Sequence, residues 1–150
     1  PYIDVYLPDL KYFSPKISAR YTGRADYFRV ASEAVAFMAQ RKCDVRGGKM
    51  YAGCIVRHLV LPLCANDSIE LVKWFLSLGS GAYFSLMGQY TPCGNIDRFP
   101  ELQRRITPRE YKKVEDFLLA SGCENIFLQA LGAADEAFIP DFSDKTDALF

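Results

Sequence analysis

The sequence has no excess of either charge, no long apolar run and no basic, apolar leader. With 18 Lys+Arg against 18 Asp+Glu in 150 residues, the net charge is zero. Nonspecific nucleic-acid binding requires a cationic surface and is therefore not expected. No apolar stretch approaches the roughly 20 residues of a membrane-spanning helix, so we expect no membrane span and no secretory signal. There is no initiator methionine, so residue 1 need not be the natural start.

Common catalytic and metal-binding signatures are also missing. There is no glycine-rich loop for a phosphate, no nucleophile elbow and no HExxH helix. No two cysteines have the two- or three-residue gap of a metal knuckle or redox motif. We therefore expect no metal site in this chain, and unpaired thiols packed as small hydrophobic groups in a reducing cytoplasm. The five cysteines are Cys43, Cys54, Cys64, Cys93 and Cys123.

What the chain does have is the composition of a globular domain. Hydrophobic residues make up 50% and charged residues 24%, and the length suffices for one domain with a buried core. We expect that domain to span residues 1–135. Residues 136–150 are polar and interrupted by Pro140, and we expect them to lie on the surface or to be mobile.

The apolar pattern predicts strands that alternate with helices. Short apolar runs bounded by turn residues predict strands over 3–7, 54–61, 82–87 and 125–129. Helical spacing predicts a helix between each pair of strands. The second strand is apolar almost throughout, which predicts burial on both faces. This order favours right-handed crossovers and a parallel sheet, hence an α/β protein, and four strands are too few to close a barrel.

Local signals predict helix starts and one loop. Thr107, Pro108 and Glu110 have the arrangement of a capping box. Asp67 and Glu70 have the same spacing and predict a second capped start. The polar stretch 44–49 contains two glycines and predicts a loop.

Polar residues beyond the first predicted strand are candidate site residues. In a parallel sheet, ligands bind past the carboxyl ends of the strands. Asp9 and Lys11 follow the first strand and, being two residues apart, point to one side. Lys11 could meet a carboxylate or a ribose hydroxyl while Asp9 orients it, or the two could form an exposed ion pair.

The later strands supply further candidates. Alternation places Arg57 on one face with Leu59, and His58 on the other face. A buried Arg57 would offer a fixed fork to a ligand carboxylate, or pair with a structural acid. We expect His58 to be a hydrogen-bonded core histidine rather than a catalytic one. Gln89 and Tyr90 could read a polar ligand or serve turn and packing roles.

Five segments, in this order and spacing, resemble the C-terminal half of a radical S-adenosylmethionine protein. The similarity is to the group related to pyruvate formate-lyase activating enzyme. It extends over nearly the whole chain and implies a partial (β/α)6 TIM-like barrel, of which this chain would be one half. The segments are DVYLPDLKYF, IVRHLVLP, SLMGQYTP, ITPREYKKV and IPDF.

The resemblance implies an iron–sulfur oxidoreductase as the parent protein. In that family a CxxxCxxC loop binds a [4Fe–4S] cluster, S-adenosylmethionine chelates the open iron, and a 5′-deoxyadenosyl radical removes hydrogen from the substrate. In activating enzymes the substrate is a glycine of a partner enzyme. The first three βα units and the cluster cysteines are not in this sequence. The cluster therefore belongs to the parent only, and we expect this chain alone to be inactive.

The resemblance also implies cofactor-binding positions. Asp9-Leu10-Lys11 matches the family's DxK motif on the fourth strand, which helps to hold S-adenosylmethionine. Arg57 matches an arginine of the fifth strand near that ligand, and Leu59 would lie beside it. Gln89-Tyr90 falls where an activating enzyme has Tyr-His, and Leu63 stands where those enzymes have glycine. No catalytic residue and no metal ligand is expected in this chain.

Three functions stay open on the sequence alone. The chain is a radical-enzyme fragment, a truncated binding or interaction module without catalysis, or an unrelated α/β enzyme with a site at the same strand ends. Asp9 and Lys11 together with Arg57 favour the first over the third. Expected partners are the missing N-terminal half and a glycyl-radical enzyme or other protein substrate. An uncovered strand edge and sheet face also predict self-association.

Overall fold

The computed structural model of the protein describes residues 2–129, so the predicted surface segment 136–150 lies outside the described residues. Strands and helices alternate along most of the chain, as the apolar pattern predicts. In chain order the elements are β1 (Val5–Tyr6), α1 (Pro15–Thr22), α2 (Tyr27–Met38), β2 (Asp44–Arg46), β3 (Lys49–Leu59), α3 (Ala65–Ser77), β4 (Tyr83–Met87), a 3-10 turn (Pro100–Leu102), α4 (Pro108–Ala120) and β5 (Ile126–Leu128).

The sheet is mainly parallel, with the strand order β1-β3-β4-β5. Each parallel strand lies beside the parallel strand that precedes it in the chain, with a helical segment between them. Among the strands of residues 2–129, only β2 is antiparallel, and it pairs with the first half of β3. The predicted α/β class with a parallel sheet is confirmed. None of the helices within residues 2–129 has the length and apolar character needed to cross a membrane.

The helices cover one face of the sheet. On β3, Val56 and His58 are buried against them, and on β4, Phe84 and Leu86 are buried. These strand residues form a single core cluster with side chains from three helices. The helical members of the cluster are Val35 of α2, Ala65, Leu71, Val72 and Phe75 of α3, and Tyr111, Val114 and Leu118 of α4.

The other face of the sheet, here called the open face, is only partly covered by the described residues. The register aligns Asp9, Arg57, Ser85 and Phe127 in one row across it. Its apolar side chains range from half-buried to about half exposed. The expectation that the second strand is buried on both faces was therefore wrong within residues 2–129. The apolar members of the open face include Val5, Leu7, Ile55, Leu59, Tyr83, Met87 and Phe127.

A β-hairpin replaces the loop predicted over 44–49. The strands β2 and β3 are joined by Gly47 and Gly48, whose φ angles are 56° and 77°. Two consecutive positive φ angles are what a tight hairpin turn of type I′ requires, and glycine adopts them without strain. The loop prediction was wrong because the two glycines separate two short segments that can pair with each other.

The capping box of α4 is confirmed. The Thr107 hydroxyl accepts from the Glu110 N–H at 3.3 Å, and the Glu110 carboxylate accepts from the Thr107 N–H at 2.7 Å. The corresponding prediction for α3 was wrong. That helix begins at Ala65, which places Asp67 inside its first turn and leaves the cap residue Cys64 without a side-chain capping bond.

Asp67 instead binds a distant part of the main chain. Its two carboxylate oxygens accept from the N–H groups of Phe13 and Ser14 at 2.9 and 2.7 Å. Asp67 is buried, and this burial raises its pKa above the ordinary value. The carboxylate therefore ties the segment after β1 to the start of α3, which holds the region of the candidate site in place.

Candidate functional site

The structure brings together Asp9, Lys11 and Arg57 at the carboxyl end of the sheet, and we call these three the site triad. Arg57 donates to Oδ1 of Asp9 from Nη2 at 2.7 Å and from Nε at 2.8 Å. The Lys11 Nζ atom lies 3.7 Å from Oδ2 of Asp9. The backbone sets this pairing, because the Arg57 N–H donates to the Pro8 carbonyl at 2.8 Å and its carbonyl accepts from Leu10 at 2.9 Å.

All three charges of the site triad are accessible to solvent. The side chains of Asp9, Lys11 and Arg57 are 38%, 51% and 44% exposed. The expectation of a buried Arg57 was therefore wrong, because Arg57 projects from the open face. An exposed ion pair contributes at most about 1 kcal/mol to stability, so a ligand can exchange contacts with these groups at small cost.

The site triad can recognise a ligand that carries both charges. Two cations and one carboxylate give a net charge of +1, and Oδ2 of Asp9 is the freer of its two oxygens. Guanidinium and ammonium groups bind carboxylates, and a carboxylate accepts from an ammonium group or from ribose hydroxyls. A zwitterionic or hydroxyl-rich small molecule therefore fits these groups.

The other predicted cofactor-binding residues differ in whether their side chains are available to contact a ligand. Leu59 is half-buried beside Met87, on the face that carries Arg57. The Tyr90 hydroxyl donates to the Leu102 carbonyl at 2.8 Å and its ring packs against the core, so its polar group is already engaged. Gln89 is half-buried and has no side-chain hydrogen bond within residues 2–129. Of Gln89 and Tyr90, only Gln89 has a polar side chain that is available to a ligand.

A tyrosine cluster beside the site triad could not be found from the sequence. The ring of Tyr12 contacts Tyr27 and Tyr21, with centroids 5.3 and 6.1 Å apart. The Tyr21 hydroxyl donates to Glu101 at 3.0 Å. Desolvation by burial raises the pKa of all three phenols, so they stay protonated at neutral pH. Their spacing along the chain gives no signal, since separate segments bring the rings together.

His58 is a core residue, as expected. Its Nδ1–H donates to the Leu10 carbonyl at 2.7 Å, and its Nε2 accepts from the Ser68 hydroxyl at 2.8 Å. The carbonyl can only accept, which assigns the proton to Nδ1 in the neutral ring. Burial lowers the pKa of His58 to about 4. The imidazole therefore joins the site segment to α3 and is closed to solvent.

Leu63 occupies a glycine-like conformation in the loop after β3. Its φ angle is 61°, its side chain is largely exposed, and its N–H donates to Oε1 of Glu110 at 2.7 Å. The left-handed region is strained for residues with a Cβ atom. Glycine would adopt the same backbone without strain.

The described residues do not form a metal centre. Within residues 2–129, no three His, Cys, Asp or Glu side chains come close enough to hold a metal ion. All five cysteines are unpaired. Burial raises the pKa of Cys54 and of Cys64 to about 11, so both are protonated thiols at neutral pH. A [4Fe–4S] cluster does not fit these residues.

Among known proteins, the chain is similar to a distant archaeal relative. No family model matches the chain. An uncharacterized protein of the archaeon Methanocaldococcus jannaschii is 26% identical over 112 residues, which are 74% of this chain and 30% of the relative. The match thus spans less than a third of the relative's length. No solved structure matches. These comparisons assign no activity.

Proposed function

We propose that this chain is the C-terminal half of a radical S-adenosylmethionine enzyme of the pyruvate formate-lyase activating type. The observation that carries the proposal is the convergence of Asp9, Lys11 and Arg57 at one end of the sheet. They are the residues that the resemblance assigns to S-adenosylmethionine, and distant parts of the sequence supply them. Leu59 and Gln89 would line the same site.

The chemistry of the site triad supports this ligand. S-adenosylmethionine carries an ammonium group, a carboxylate and a ribose with two hydroxyls. Lys11 and Arg57 suit the carboxylate, and Asp9 suits the ammonium group or the ribose diol. When bound in the complete enzyme, the ligand supplies the radical that removes hydrogen from a protein glycine. The residues of this chain bind and orient it.

The sheet supports a place in a partial (β/α)6 barrel. Within residues 2–129, successive parallel strands are added on one side without reversal, and helices cover one face only. A singly wound sheet of this kind is how barrels are built, whereas open doubly wound sheets reverse their strand order. The open face would then be the barrel interior, with the N-terminal half of the parent as its partner.

We assign the [4Fe–4S] cluster to the other half of the parent protein. We propose that this parent protein works in the reducing cytoplasm. Because the described residues do not fit the cluster, its ligands would come from the other half of the parent protein. The coding sequence upstream of residue 1 provides a direct test. An in-frame CxxxCxxC motif there is expected, whereas a natural start codon at that point would favour a truncated binding module instead.

The binding site is tested by titrating the chain with S-adenosylmethionine in a calorimeter. We expect weak binding by the wild type, because the cluster iron that anchors the methionine group is absent. Asp9→Asn and Arg57→Met should each weaken it by roughly tenfold, the effect of one charge-assisted hydrogen bond. Asp44→Asn, which disrupts the exposed Asp44–Arg46 ion pair in the hairpin, is the matched control.

Two outcomes of this titration would contradict the proposal. One is a wild-type chain that does not bind S-adenosylmethionine at millimolar concentration. The other is an equal loss of affinity in Asp44→Asn and in the site variants, which would show that the charges act nonspecifically. Iron bound stoichiometrically after anaerobic reconstitution would contradict the assignment of the cluster to the parent.

A further inference from the structure

The segment that follows β1 separates from β3 at the point where the side chains of the site triad project. The Leu10 N–H still bonds to that strand, donating to the Arg57 carbonyl at 2.9 Å. The next N–H, that of Lys11, donates instead to the hydroxyl oxygen of Tyr27, 3.0 Å away. The same hydroxyl donates its proton to the Asp9 carbonyl at 3.3 Å. One phenol therefore binds the main chain on both sides of Leu10.

Tyr27 is itself held firmly enough to act as a clamp. It is the first residue of α2, so its backbone is fixed by a helix. Tyr12 packs on it edge to face, with the ring planes at 74°. Burial raises the pKa of Tyr27, so its hydroxyl keeps the proton that it donates.

We infer that Tyr27 is a positioning residue of the site, which fixes the orientation of Asp9 relative to Lys11 without touching the ligand itself. Two side chains separated by one residue keep their relative direction only if the intervening backbone torsions are fixed. The Tyr27 hydroxyl links the carbonyl of Asp9 to the N–H of Lys11 and so fixes them. For the identity of the ligand, the inference rests on the proposed function.

Hydrogen exchange of single amides tests the clamp without any ligand. In Tyr27→Phe the ring remains and the hydroxyl is lost, so exchange of the Lys11 amide should become roughly tenfold faster. The Leu10 amide, bonded to Arg57, should not change. Tyr21→Phe is the matched control, because it removes a phenol hydrogen bond to Glu101 in the same cluster and leaves this segment intact.

The ligand-binding consequence is measured in the same variants. The affinity of Tyr27→Phe for S-adenosylmethionine should fall roughly fivefold to tenfold at an unchanged melting temperature, and that of Tyr21→Phe should stay at the wild-type value. Unchanged protection of Lys11 in Tyr27→Phe, or faster exchange of Leu10 and Lys11 alike, would overturn the inference. A wild-type chain without affinity would refute the proposed ligand, whereas the exchange result would still decide whether Tyr27 holds the segment.

Discussion

The N–H of Leu63 donates to the carboxylate of Glu110 across two neighbouring strand–helix units, at 2.7 Å. The bond stabilises a residue whose φ angle of 61° is unfavourable for a leucine. The same carboxylate accepts from Arg104 and from Thr107 at the start of α4. One acid therefore caps a helix, pairs with a cation and fixes the loop after β3.

Replacement of Leu63 by glycine should stabilise the protein. Leu63→Gly relieves the left-handed strain and loses little packing, because the side chain is exposed. We expect a gain of about 0.5–1 kcal/mol in the free energy of unfolding, measured by urea denaturation. Leu63→Ala removes the same side chain but keeps a Cβ atom at this φ angle. An equal gain in Leu63→Ala would show that strain is not the cause.

Loss of the Glu110 charge should destabilise the protein. In the wild type, donors on Arg104 and Thr107 contact the carboxylate oxygens of Glu110. In Glu110→Gln, an amide nitrogen replaces one of these oxygens and cannot accept from those donors. We expect the free energy of unfolding to fall by about 2 kcal/mol. Asp116→Asn on the same helix breaks only an exposed ion pair with Lys112, and should change it by less than about 0.5 kcal/mol. Equal effects in the two variants would contradict the role given to Glu110.

Mild acid should destabilise the fold through His58. The folded pKa is about 4 and the unfolded value about 6.5, so the unfolded chain binds more protons in between. The free energy of unfolding should therefore fall as the pH drops from 6.5 towards 4, by about 3 kcal/mol. The ring-proton NMR signal of this single histidine should not titrate between pH 8 and 5 in the folded protein. A midpoint near 6.5 would contradict the buried, neutral ring.

Gly53 should not tolerate a side chain. Its φ angle is 142°, and an added Cβ atom would lie 2.6 Å from the Cys43 sulfur and 3.3 Å from the Cys43 Cα atom. We expect Gly53→Ala to lower the free energy of unfolding by about 2–3 kcal/mol. Gly81→Ala is the control, because Gly81 has no positive φ angle and no atom within 4 Å of an added Cβ. A cost below about 0.5 kcal/mol at Gly53 would show that the backbone there adapts easily.

Local sequence signals predicted the elements whose causes are local. The capping box at Thr107 and Glu110 depends on residues three positions apart, and the structure shows it as predicted. The same rule failed at Asp67, because the N–H groups of Phe13 and Ser14 compete for its carboxylate. A spacing rule contains no information about a main chain more than 50 residues away.

The sequence by itself determined the alternation of strands and helices, the burial of His58 and the side of the chain on which Asp9 and Lys11 project, because these follow from period and polarity along a short segment. Only the tertiary structure decided that Arg57 reaches Asp9 and lies exposed on an open face, and that a phenol of α2 binds the main chain between the two site residues. Such contacts join distant segments, and their geometry depends on how the whole sheet and its helices pack.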